Sequence, residues 1–198
     1  MKLSVVIPTY TVDEHLEKLA IEAIRSYSYQ ADEIIVTEDG GRYSSQIMAL
    51  ADTYIYNHEN KGFTYNVNRG WGFSRGLFTA IVSSDTRLNE GDILDLCIPG
   101  KVTSPEIVNQ SIDGLAGPFF VVPREIKEER GLLLEDMRTY SSDSEYDHRV
   151  KDIFQKVSQV KIFHHQAQSV SAAGVEGGEE QERDRKIYQQ LINEGRAS

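Results

Sequence analysis

Four short apolar runs recur between residues 2 and 82, each separated from the next by a segment with helical patterning. Lys2–Pro8, Asp32–Thr37, Tyr54–Tyr56 and Leu77–Val82 are short, rich in β-branched or aromatic residues, and closed by a proline or a polar turn, so they read as strands. Between them, Asp13–Ser26 sets Leu16, Leu19, Ala20, Ala23 and Ile24 at helical spacing, and Tyr43–Ala51 and Asn66–Gly76 are the other predicted helices. Such alternation predicts βαβ units and a mainly parallel sheet. In sheets of this kind ligands bind outside the carboxyl ends of the strands. Here those ends carry Pro8-Thr9-Tyr10, Glu38-Asp39 and, directly after the fourth run, Ser83-Ser84-Asp85.

The second half is less regular. Gly117–Pro123 predicts a further strand, Ser144–Val157 a helix, and Val160–Phe163 a late strand running into His164-His165. Ala172–Glu182 is small and acidic and predicts a mobile loop. Arg183–Glu194 follows as a closing helix with Ile187, Leu191 and Ile192 on one face. A length of 198 residues predicts one domain. The 21 Lys and Arg against 31 Asp and Glu give a net charge of −10, the opposite of what a nucleic-acid or anionic-membrane partner requires. A single cysteine, Cys97, excludes an intrachain disulfide and a Cys-based zinc cluster. The apolar runs are too short for an integral membrane segment, and the opening run is strand-like, unlike a signal peptide, so a cytoplasmic location is expected.

Several common αβ signatures are absent. The first strand is not followed by Gly-x-Gly-x-x-Gly, and no Gly-x-x-x-x-Gly-Lys-Ser/Thr, Gly-x-Ser-x-Gly or His-Glu-x-x-His occurs. What is present is more specific. Ser4-Val5-Val6-Ile7-Pro8-Thr9-Tyr10, followed by Glu33-Ile34-Ile35-Val36-Thr37-Glu38-Asp39-Gly40-Gly41, resembles the opening of family 2 glycosyltransferases of the glycosyltransferase A fold. Asn60-Lys61-Gly62 and Asn68-Arg69-Gly70 are similar to the family's paired Asn-x-Gly steps, and Gly76–Leu88 aligns without a gap to its fourth strand and the acidic turn beyond. The resemblance is strong over residues 1–90 and patchy after them.

That resemblance implies a Rossmann-like twisted mixed sheet flanked by helices. It also implies transfer of a sugar from a nucleotide diphosphate sugar to a hydroxyl of a glycan, glycoprotein or lipid, with inversion at the anomeric carbon. Residues 1–90 would form the nucleotide-binding half, 91–170 the acceptor and catalytic half, 171–182 a mobile loop and 183–198 a C-terminal helix. For a virus-encoded archaeal member of the family, the compartment would be the host cytoplasm. The nucleotide would be held by Pro8, Thr9, Tyr10, Glu38, Asp39, Asn60, Gly62, Asn68 and Ser84. Asp39 would accept from the base, although an Asp before two glycines also suits a plain turn.

A divalent cation, Mn²⁺ or Mg²⁺, would be bound by Asp85 with His164 or His165 and would neutralise the departing diphosphate. Ser83 stands where the family often has a first aspartate, so one firm carboxylate remains. Alternation along a strand sends His164 and His165 to opposite sides and leaves open which one meets the metal. Ser142-Asp143-Ser144-Glu145-Tyr146-Asp147-His148-Arg149 resembles the family's catalytic helix start. Asp143 is the matched general base, and Glu145 and Asp147 remain alternatives; the same acids also suit a helix N-terminus. Glu135-Asp136 would line the acceptor side. Two other readings compete. A sugar nucleotidyltransferase would need a Gly-rich basic loop after the first strand, which Pro8–Asp13 does not offer. A non-catalytic domain retaining the fold is the other, favoured by the missing first carboxylate.

Overall fold

The computed structural model describes residues 2–165 and 178–194. Strands β1 (Leu3–Thr9), β2 (Glu33–Asp39), β3 (Thr53–Asn57) and β4 (Phe78–Val82) alternate with helices α1 (Glu14–Tyr27), α2 (Ser45–Leu50) and α3 (Phe63–Phe73). After them come β5 (Thr86–Glu90), a 3-10 turn (Ile93–Leu96), β6 (Val102–Ile107), β7 (Phe119–Pro123), α4 (Arg124–Arg130), α5 (Ser142–Val150), β8 (Phe154–His164) and α6 (Glu179–Asn193). The eight strands among the described residues join one sheet in the order β3-β2-β1-β4-β7-β6-β8-β5. The first four are parallel, as the alternation predicts. β7 then runs antiparallel to both β4 and β6, β8 parallel to β6, and β5 antiparallel to β8, so the sheet is mixed.

β1 explains why the opening run is apolar throughout: every residue of it is buried. Leu3, Val5 and Ile7 face one core with Ala20, Ala23 and Ile24 of α1, while Val6 faces a second core with Val67 and Trp71 of α3 and Tyr146 of α5. A strand covered on both sides needs apolar residues at both parities. Asp13 caps α1 by accepting the N–H of Leu16 at 2.9 Å.

The predicted helix over 144–157 stops at Val150, and Phe154 already belongs to β8. Phe154, Val157 and Val160 recur every third residue, which imitates a helix. The cause is a register shift beside Pro105, where pairing jumps from Pro105–Val157 to Glu106–Lys161. β5 escaped detection because it is polar and, among the described strands, an edge strand paired with β8 alone. At the other end of the chain, Glu179–Glu182 are helical where a loop was expected. Glu179, Glu180 and Glu182 lie in the first turn, where acids favour a helix start. The rest of that expected loop, residues 172–177, lies outside the described residues. Among the described residues no helix is long and apolar enough to cross a membrane.

Candidate active site

The carboxyl ends of β1, β2 and β4 open into one cavity of about 460 Å³, closed on its far side by residues 138–140, Asp143, His164 and Glu180. Pro8, Thr9 and Tyr10 form the wall at the end of β1. Asp39, the last residue of β2, is 4% exposed and faces the same space. Its Oδ1 accepts the N–H of Lys61 and its Oδ2 that of Gly62, both at 2.8 Å. Burial pushes its carboxyl above the usual range against these hydrogen bonds. Beneath it, Asn57 donates to the side-chain oxygen of Asn66 at 2.9 Å, and Asn66 donates to the carbonyl of Thr37 at 2.7 Å. The floor is therefore a buried, hydrogen-bonded network that joins β2, β3 and α3.

Asn60 and Gly62 line the cavity above that floor. Gly62 has φ +96°, and a Cβ there would collide with the side chain of Arg138. Arg138 crosses this turn: its Nη2 donates to the carbonyl and to Oδ1 of Asn60, each at 2.8 Å, and its Nη1 pairs with Glu180 of α6 at 3.0 Å. Thr139 also donates to Glu180. The next turn of α6 holds the same segment, because the fully buried Asp184 accepts the N–H groups of Thr139 and Tyr140 at 2.9 and 3.0 Å. Sequence reasoning missed Arg138, Glu180 and Asn66. Arg138 lies in an irregular stretch with no periodicity, and Glu180 lay inside a supposed loop.

Ser84 and Asp85 follow β4 and line the cavity, Asp85 at 5% exposure. Asp85 Oδ1 lies 3.2 Å from Nε2 of His164. His165 stands apart, its ring edge-on to Phe163 with centroids 4.9 Å apart, so the strand's alternation sends only His164 into the cavity.

The three acids of α5 separate by position. Asp143 faces the cavity, and its carboxylate lies where a Cβ on Gly117 would be. It accepts the N–H of Ser144 at 2.9 Å, yet burial, helped by the charge of Asp147, holds its carboxyl above the usual range. Asp147, one turn on, turns to the 114–115 loop and accepts the N–H of Leu115 at 2.8 Å. Glu145 is fully buried and ion-paired to Arg149 at 2.7 Å, and the same guanidinium lies 4.7 Å from the centroid of the Tyr146 ring. α5 thus presents one acid to the cavity and uses two in its own packing.

Four other expected site residues, Glu38, Asn68, Glu135 and Asp136, lie off the cavity wall. Glu38 is fully buried, accepting from Thr9 and Thr11 hydroxyls at 2.8 Å and from the N–H groups of Thr11 and Gly41 at 3.0 Å. It ties the turn after β1 to the turn after β2. Asn68 donates to the carbonyl of Leu133 at 2.8 Å and to Glu135 at 3.0 Å, so both side chains of that pair brace the 133–135 segment. Asp136 offers its carbonyl to Arg183 at 3.3 Å.

The family model for glycosyl transferase family 2 matches residues 4–125. Among solved structures, residues 1–349 of S. aureus TarS superpose with a TM-score of 0.66 at 16% identity, over 87% of this chain and 63% of that one. The same TarS fragment in complex with UDP-GlcNAc gives 0.65 at 15% identity, over 87% and 61%. The mannosyltransferase PcManGT from Pyrobaculum calidifontis, in complex with GDP-Man and Mn²⁺, gives 0.65 at 16% identity, over 95% and 68%. At such identities the likeness is one of fold, and this chain spans less than two thirds of the TarS fragment. No curated protein matches the chain.

Proposed function

The chain belongs to glycosyl transferase family 2, and on that premise we propose that it transfers a sugar from a nucleotide diphosphate sugar to an acceptor hydroxyl, with inversion at the anomeric carbon. The observation that carries this reading is the convergence of Asp39, the Asp85–His164 pair and Asp143 on one cavity. Asp39 would receive a base N–H, with Pro8, Thr9 and Tyr10 walling the base. The first half of the chain would thus supply the base site and Asp85, and the second His164 and Arg138 on the diphosphate side and Asp143 for the acceptor, a glycan, glycoprotein or lipid. Arg138, a cation at the rim, would face the diphosphate once the donor is bound.

A divalent cation fits the Asp85–His164 pair. One carboxylate and one imidazole nitrogen face each other at 3.2 Å, and the described residues hold no cluster of three or more metal-ligating side chains, so a bound ion would keep positions open for diphosphate oxygens and water. Mn²⁺ or Mg²⁺ bound there would offset the charge of the leaving diphosphate. In the transfer itself the acceptor oxygen forms its bond to the anomeric carbon as the bond to the diphosphate oxygen breaks. The acceptor proton passes to Asp143, and the nucleotide diphosphate leaves with the electron pair. A raised carboxyl suits Asp143 to take a proton from a weak acid. One base and one leaving group need no carboxylate nucleophile, which is consistent with inversion.

Incubation with UDP-, GDP- and dTDP-sugars and Mn²⁺ tests the proposal. Release of a nucleoside diphosphate is the expected result. Pyrophosphate release would indicate nucleotidyl transfer instead, and donor binding without turnover a non-catalytic domain.

A further inference from the structure

Gly117 does not have the positive φ that calls for glycine at Gly62 or Gly114. What requires a missing side chain at 117 is space. A Cβ there would overlap Oδ2 of Asp143 and lie 3.0 Å from its Cγ. The loop behind that contact is pinned on every side. Leu115 donates its N–H to Asp147 at 2.8 Å, and Ala116 donates its N–H to Oγ of Ser104 in β6 at 3.0 Å. The N–H of Phe119 closes the turn on the carbonyl of Ala116 at 2.9 Å. The carbonyl of Pro118 accepts the N–H of Ser83 at 2.9 Å, which ties this turn to the one carrying Asp85.

A side chain changes rotamer at less cost than a loop breaks such bonds. A methyl group added at 117 would therefore move the carboxylate and leave the loop in place. We propose that Gly117 is a positioning residue that seats the Asp143 carboxylate where it takes the acceptor proton, an inference that rests on the reading of Asp143 as the base given above. The bond from Ser83 to Pro118 keeps that seat in register with the side from which the diphosphate leaves. Asp147, by holding Leu115, fixes the loop that forms the seat.

Diphosphate release from UDP-, GDP- and dTDP-sugars is compared for wild type, Gly117→Ala, Asp143→Ala and the double variant. Gly117→Ala should turn over about 10²-fold more slowly with the donor KM held, the effect expected of a displacement of about 1 Å. In the Asp143→Ala background the same substitution should cost nothing further, since no carboxylate remains to be displaced. Full turnover in Gly117→Ala, or a further loss in the double variant, overturns the proposal. Full turnover in Asp143→Ala overturns instead the reading of Asp143 as the base, and the role drawn from it. Carbon NMR of the Asp143 carboxyl, assigned with Asp143→Ala, reads the seat without any turnover. In Gly117→Ala this carboxyl should titrate at lower pH than in wild type, because it leaves its covered position while Asp147 stays. An unchanged titration overturns the proposal, whichever donors are turned over. Should Gly117→Ala fail to fold, the double variant should fold, since the Cβ of Asp143 lies 3.4 Å away, an ordinary contact. A double variant that also fails to fold would show that the loop itself needs glycine, and overturns the proposal.

Discussion

The parallel half of the sheet and its mixed half reach the cavity by different means. β1 and β2 deliver Thr9 and Asp39 on the ends of strands buried on both faces, over a floor of hydrogen-bonded Asn and Thr side chains. The mixed half delivers Asp143 from a helix start, Arg138 from an irregular segment and His164 from the end of β8, each placed by a loop or helix packed against it. Strand ends in a covered sheet have little freedom to move, whereas helix starts and loops can adjust. On the proposed reading, the first construction would hold the base of the nucleotide, and the second the diphosphate and the acceptor.

The largest expected effect tests whether α5 separates packing from chemistry. Glu145→Gln leaves the largely covered Arg149 charge uncompensated and should lower stability by about 3–5 kcal/mol, measured by denaturant unfolding. Turnover per folded molecule should not change; a collapse of turnover would move the base to Glu145. Asp143→Asn should do the reverse, lowering turnover by about 10²-fold or more while donor affinity holds. Its stability should not fall, because burial already disfavours the charged form.

The same shift gives a pH signature. Asp143 must be unprotonated to accept a proton, so turnover should fall as the pH drops through its raised value, which lies above the ordinary carboxylate range. The native state binds that proton more tightly than the unfolded chain. The stability it confers is therefore present at low pH and lost as the pH rises from the ordinary carboxylate range through the raised one. The acid limb should vanish in Asp143→Asn; a limb unchanged in that variant would remove Asp143 from the chemistry.

On the parallel side, Asp39→Ala should weaken a nucleoside monophosphate and a diphosphate by the same factor, corresponding to about 1.5–3 kcal/mol, since both share the base. A loss confined to the diphosphate would show that Asp39 acts through the 60–62 turn and Arg138 rather than on the base. The smallest effect is expected at the rim. Glu180→Gln frees Arg138 from a partly exposed ion pair and should tighten nucleoside diphosphate binding by less than about 1 kcal/mol. A weakening would make Glu180 part of the donor site.

The parallel half was legible because its pattern is local. A fully buried strand reads as an unbroken apolar run, and Asp39 and Asp85 follow such runs directly. Even there, local pattern could not tell Asp39 at the cavity from Glu38 beside it, since alternation reverses their directions and only the partner turns reveal which way each points. In the mixed half, residues that meet in space are distant in sequence. Asn60 and Arg138 meet across 78 positions and His164 and Gln110 across 54. A bulge gave β8 the three-residue spacing of a helix, and β5 carries too little apolar surface to register.

The clasp of α6 on residues 138–140 also bears on how the protein is made. The four parallel strands are complete once residue 82 has been synthesised, and chains tend to fold from the N-terminal side as they emerge. Glu180 and Asp184, which brace Arg138 against the Asn60 turn, are translated about 100 residues later. A nascent chain therefore owns its Asp39 floor long before the wall carrying Arg138 is fastened, and a ribosome-stalled chain ending before Glu180 would present that floor with the wall unbraced.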